Sequence, residues 1–426
     1  MNIAIIFLIF ILLYLLLIWK AGKTFPMLYL FAFIYFVQYI FSTFLIYNQY
    51  DVLSVWMPIK QDQYFEYAIP AIFSLFAGVF LFNRDIDISH LLNRIDSVQA
   101  TRLGYLLLGI SFSFDFISWV GVSSLDSVIS FTQNLKYLAA FCFLFTNSRF
   151  NYGLIFVVYV QLLYLALAGG IFIDFFVWTT YLFFFITIKL KFSFWLRASF
   201  IVLAAPLLFV VQSTKENYRD ATWSSKREVG LNTFSELARE SNEKNQDKPF
   251  LESDGVVRTV GRLTQGWHLA LTMKRVPKIE PWSDGKEMLS DIASSFLPRV
   301  LFSDKKLAAT QDKFKKYTGY TLRKGTSMTI GVLGDFYVNF GQKGAFAMLF
   351  VFGIIISKFL HYYISRFVLP DPINIIWVPF LLNYLVRANN DFYTGFNCIV
   401  KGFLIFLVVD FIRKQIWTKL PRLSYR

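Results

Sequence analysis

Three stretches of this chain concentrate residues able to grip an anion. Arg258 and Arg262 stand four apart in Arg-Thr-Val-Gly-Arg. On a helix that spacing puts both guanidiniums on one face, where together they can hold a phosphate through paired hydrogen bonds. Further on comes Phe-Leu-Pro-Arg-Val-Leu-Phe-Ser-Asp-Lys-Lys. Pro298 restricts the backbone beside Arg299, and Lys305 and Lys306 follow at a distance that lets them address the same anion. The third stretch, Gly-Val-Leu-Gly-Asp-Phe-Tyr-Val-Asn-Phe-Gly-Gln-Lys-Gly, begins at Gly331. It sets four glycines and the polar Asp335, Tyr337 and Asn339 into an apolar run. A re-entrant segment with irregular backbone is expected here, because such backbone is tolerated at membrane depth where it lines a cavity.

The elements that must position these residues are membrane spans. The chain has 426 residues, of which 56% are hydrophobic and only 16% charged. About 20 mostly apolar residues cross the ~30 Å of hydrocarbon in a bilayer. Eleven segments read as spans: 2–19, 25–47, 64–82, 103–120, 128–146, 150–168, 171–188, 194–211, 341–360, 373–386 and 395–412. Pro379 is expected to break or kink the tenth. The first lacks a basic leader and a small-residue cleavage site, so it reads as a retained helix and not a signal peptide. No repeat and no inverted symmetry relates the two halves.

With segment 212–329 placed outside, sixteen Lys and Arg fall in the inner loops and tail, and two, Lys60 and Arg387, in the short outer loops. The positive-inside rule then sets the N-terminus outside and the C-terminus inside. The expected fold is an all-α polytopic membrane protein of about eleven helices with one large extracytoplasmic loop domain. Its parts are helices one to eight in 1–211, the loop domain in 212–329, a re-entrant segment with helices nine to eleven in 330–412, and a basic tail in 413–426.

The net charge of +14 belongs to a membrane surface rather than to nucleic acid, since no basic, aromatic-interleaved soluble module is present. The 212–329 segment alone holds 21 Lys and Arg against 15 Asp and Glu, which suits a lipid phosphate or pyrophosphate. Cys142 and Cys398 lie in apolar segments and read as packing residues. No Cys/His spacing suggests a metal.

Pro-Arg, then a lysine pair, then Gly-Asp-Phe-Tyr-Val-Asn-Phe-Gly-x-x-Gly resembles the bacterial O-antigen polymerase (Wzy-type) family, the oligosaccharide repeat-unit polymerases. The family pattern is Ile-Pro-Arg-x-x-Trp-x-x-Lys followed by Gly-Glu-x-Tyr-x-Asn-Phe-Gly-x-x-Gly. Here Leu297, Pro298 and Arg299 match the first part, Phe302 replaces the Trp, and Asp335 replaces the Glu. The resemblance spans 258–344; the first 250 residues share only the hydropathy profile.

The resemblance implies a glycosyltransferase-C-like, metal-independent membrane enzyme of the bacterial inner membrane, working without cofactor. Such enzymes move a growing glycan from undecaprenyl pyrophosphate onto a new lipid-linked repeat unit, and a chain-length-regulating co-polymerase is a possible partner. Arg299, Arg258, Arg262, Lys305 and Lys306 would then hold the pyrophosphate. Asp335, Asp391 and His268 are the candidates for a base on the acceptor hydroxyl, and Tyr337, Asn339 and Arg387 for contacts to sugar. Arg387 and Asp391, four apart, are alternatively expected to pair with each other. The competing classes are a lipid-linked glycan transporter or flippase, an O-antigen ligase, a transferase using polyprenyl-phosphate sugars, and a non-enzymatic scaffold.

Overall fold

The structure is a computed structural model that describes residues 3–48, 56–82, 88–120, 126–224, 228–243, 254–297, 311–323 and 326–419. Helices dominate, and no strand forms among the described residues. The main helices are α1 (Ile3–Lys20), α2 (Met27–Asn48), α3 (Gln61–Leu81), α4 (Ser97–Val120), α5 (Leu135–Leu144), α6 (Arg149–Gly169), α7 (Ile173–Lys189) and α8 (Phe194–Arg219). After them come α9 (Leu231–Glu243), α10 (Asp254–Leu263), α11 (Gly266–Arg275), α12 (Lys286–Phe296) and α13 (Gln311–Thr318). The last are α14 (Gly331–Tyr363), α15 (Trp377–Val386) and α16 (Phe392–Lys419).

Nine of the eleven expected spans fall on one helix each, and the fifth and tenth are each divided between two helical segments. Among the described residues, seven are long and apolar enough to cross a membrane: α1, α2, α3, α4, α6, α14 and α16. The segments Val128–Leu144 and Pro372–Val386 are apolar but shorter. The fifth expected span is not one piece, because helix Asp126–Gln133 stops and α5 restarts after Asn134. Side chains of α1 point mostly outward, as an apolar helix facing lipid would have them.

The Gly331 stretch is more regular than expected. It is helical and buried from Gly331 to Asn339, but the helix opens at Gly331 with φ 74° and is interrupted at Gly341, with φ 66° and ψ −177°. Backbone polar groups away from water must bond to one another, and the helix does this within the segment. Glycine alone adopts the Gly341 conformation readily. Pro379 stands in the first turn of α15, just past the junction with a 3-10 helix, Pro372–Ile376, so the tenth expected span is divided near this proline; its missing N–H removes no bond within the α-helix.

The tightest crossing joins α3 to α14. A Cβ on Gly353 would lie 2.2 Å from the Leu75 carbonyl oxygen and 2.7 Å from the Val79 nitrogen. One on Gly78 would lie 2.1 Å from the Phe350 carbonyl oxygen. Small residues let the two backbones touch, the main source of helix adhesion inside lipid. Gly353→Leu is therefore expected to destabilise the bundle by about 3 kcal/mol, since no flexible side chain can give way. Thermal unfolding in detergent would check it; an unchanged melting temperature would contradict the crossing.

Two basic residues counted on the inner side close helix C-termini. Arg197 donates from Nη1 to the Ile18 carbonyl at 2.8 Å, at the end of α1. Lys189 donates to the Leu144 carbonyl at the end of α5. A cation at that end satisfies a free carbonyl and opposes the helix dipole.

Candidate functional site

The N-terminus of α16 organises the site. Asp391 precedes the helix, and its Oδ1 accepts from the Thr394 N–H at 2.9 Å, a side-chain N-cap. Asp335, about one turn into α14, accepts from the Phe392 N–H through Oδ2 at 2.8 Å. Two carboxylates from distant parts of the chain thus satisfy two of the N–H groups that a helix start leaves open, at the positive end of its dipole.

The segment between the spans brings a cation to them. Lys313, on α13, places Nζ 2.8 Å from Asp335, 3.5 Å from Asp291 and 3.7 Å from Asp391. Asp291 comes from α12. The side chains of Asp335, Asp391 and Asp291 are 1%, 3% and 5% exposed, and that of Lys313 18%. Burial works against the charge on Lys313, but the carboxylates outweigh it and hold its pKa above the ordinary lysine value.

Neighbouring contacts fix this geometry. The Asn339 side chain is consumed by the fold: its amide donates to the Asp335 carbonyl at 2.8 Å, and its Oδ1 accepts from Ser283 Oγ at 2.8 Å and the Met288 N–H at 3.2 Å. It thereby locks the turn that starts α12, and so positions Asp291. Tyr337 packs edge-on against Tyr67 and Trp282 and donates to the Val276 carbonyl at 3.4 Å. On the loop side, the Gln265 N–H donates to the Gln38 carbonyl at 3.0 Å, and Thr43 bonds Thr264 at 3.1 Å. These tie the α10–α11 corner to α2.

The other expected site residues are distributed unevenly around this cluster. His268 lies on α11 with Nδ1 3.0 Å from Gln265 Oε1 and its ring against Phe314, the residue after Lys313. Burial lowers its pKa to about 4, so the imidazole is neutral at pH 7 and a weak base. Arg387 does not pair with Asp391. Its Nη2 lies 2.7 Å from Asp174 Oδ1 and 3.1 Å from Asn383 Oδ1, because Asp391 is turned to the head of α16 and to Lys313. Arg258 and Arg262 fall on α10 with the four-residue spacing, but their side chains lie outside the described residues, as do Arg299, Lys305 and Lys306 altogether.

Sequence reasoning missed Lys313 and Asp291. Lys313 sits in Lys-Phe-Lys-Lys, which reads as a solvated basic face. The available signal was its position four residues before Tyr317 and beside Phe314, both buried. Asp291 shares a helix face with Met288 and Ser295, all three buried, so an acid there occupies a core position.

A cavity of about 430 Å³ bordered by Arg94, Asp96, Asp371 and Arg413 lies elsewhere, toward the other end of α16. Arg413 comes 22 residues after Asp391, or ~33 Å along a helix, so this cavity takes no part in the cluster. Comparison of the chain with protein-family models, with curated proteins and with solved structures finds no match.

Proposed function

We propose that this chain is a polysaccharide polymerase, joining undecaprenyl-pyrophosphate-linked repeat units at the outer face of a bacterial inner membrane. One observation supports the reading above the rest. The Gly-Asp-Phe-Tyr-Val-Asn-Phe-Gly stretch, which carries the resemblance, is folded around an ionisable cluster and not around apolar packing alone. In the reaction, an acceptor hydroxyl oxygen attacks the anomeric carbon of the donor sugar. The bond from that carbon to the pyrophosphate oxygen breaks, and undecaprenyl pyrophosphate leaves. The hydroxyl proton passes to a carboxylate, Asp335 or Asp391 in this reading. Charge gathering on the leaving group calls for basic residues, the role assigned to Arg299, Arg258 and Arg262 with Lys305 and Lys306. The proposal includes eleven spans, an outer 212–329 segment and an inner C-terminus.

A lipid-linked glycan transporter is the second reading. It draws on a charge pair within apolar segments, Lys136 with Asp115 at 3.4 Å, since ionisable groups at that depth often mark a pathway.

The deciding experiment gives purified protein in vesicles a lipid-linked repeat unit. A ladder of products growing by one unit, with release of undecaprenyl pyrophosphate, is the expected result. Movement of the unit across the bilayer without covalent growth would select the transporter. Transfer to added lipid A, with no ladder, would select the ligase.

A further inference from the structure

We infer that Lys313 is the positioning residue of this site: its ammonium holds Asp335 and Asp391 together and keeps the base among them charged. The inference rests on the polymerase reading for its catalytic half. Its structural half stands on the ion cluster.

Lys313 touches parts of the chain that nothing in their sequence connects. Asp335 belongs to α14, Asp391 to the head of α16 and Asp291 to α12, and Nζ lies within 3.7 Å of all three. Its helix is anchored independently. Phe314, Tyr317 and Thr318 are buried, and Arg275 Nε donates to the Lys316 carbonyl at 2.7 Å. The lysine is therefore delivered to the carboxylates by packing that does not depend on its charge. Other polar groups border the cluster. Tyr35 and Tyr39 of α2 feel the charge of Asp335, and Glu287 of α12 that of Lys313. Glu287 is itself engaged by Lys316 at 2.8 Å.

Carboxylates crowded together repel one another, and a cation between them favours the ionised form of each. Without Lys313, a carboxylate base takes up its proton earlier as pH falls. A lysine needed only for packing would have no such effect. The two roles thus separate in the pH profile and not merely in the rate.

Lys313→Met keeps most of the side-chain volume and removes the charge; Lys313→Arg retains it. Elongation by the Met variant at pH 7 should fall by about 100-fold, with the acidic limb of its profile moved about one pH unit or more upward. The Arg variant should return the limb toward its original place. A Met variant whose rate falls while the limb stays put would overturn the inference.

A second measurement needs no turnover. The full-length protein in detergent is acylated with an amine-reactive ester at pH 9, and each lysine is read by mass spectrometry. Lys313 should label slowly, and Asp335→Asn or Asp391→Asn should raise its labelling several-fold with little change in access. Unchanged labelling in both variants would overturn the inference. If the wild type elongates nothing, the polymerase reading fails on its own, and the labelling result alone decides whether Lys313 is coupled to the two aspartates.

Discussion

Asp335→Asn is expected to reduce elongation by about a thousandfold while the protein still folds and inserts. Asparagine has the size of aspartate, and its Oδ1 can still accept from the Phe392 N–H that Asp335 now holds at 2.8 Å. What it loses is the ability to take a proton, together with the attraction to Lys313 at 2.8 Å. General base catalysis contributes roughly 10²–10⁴ in rate, which sets the magnitude. Asp391→Asn is the informative partner. Asparagine caps a helix as well as aspartate does, so the Thr394 contact survives and only the charge is tested. The variant with the larger loss marks the base, provided thermal unfolding in detergent shows both intact. If both elongate within about threefold of wild type, neither aspartate takes the proton, and the base lies elsewhere in the chain.

Seven of the expected spans were legible because the bilayer imposes one rule on them. About 20 apolar residues must occur in a row, and the Phe-rich segments of this chain satisfy that with few charges inside. Legibility failed wherever tertiary packing outweighed local pattern. Four glycines in Gly331–Gly344 suggest irregular backbone throughout, yet Gly334 and Gly344 stay regular within the helix, while Gly331 opens it at φ 74° and Gly341 interrupts it at φ 66°, against the ring of Trp282. Asp335 and Asp391 were readable as charges at the edge of apolar segments. Their meeting was not, since 56 residues separate them and the contact is made by one carboxylate reaching the first N–H of α16. The Arg387–Asp391 pairing was a reasonable four-residue guess that failed because no helix runs through 387–391. The chain there turns, sending Arg387 to Asp174 on α7. Lys313 was hidden by its own neighbours, as one lysine in a basic run looks like the next until the fold buries it.

Arg299→Lys is expected to fail almost as badly as Arg299→Ala, each slowing elongation about 100-fold, or ~3 kcal/mol of lost transition-state stabilisation. The argument rests on the shape of the charge. A guanidinium is a rigid planar fork that meets two phosphate oxygens at once, whereas an ammonium is a mobile point donor. If Arg299 gripped the leaving pyrophosphate in that way, keeping the charge without the fork would not restore it. The cluster at Lys313 sharpens the comparison. A lysine already stands within 3.7 Å of three carboxylates, so a cation needed only to balance those acids would not have to be arginine. The fork is needed for an incoming anion. Arg258→Lys and Arg262→Lys, made in parallel, should cost less each if they assist and do not lead. Single-turnover elongation with saturating lipid-linked donor separates the chemical step from binding. Near wild-type turnover by Arg299→Lys would rule out two-point recognition. Near wild-type turnover by Arg299→Ala would remove Arg299 from the reaction and move the leaving-group contact to Arg258 and Arg262.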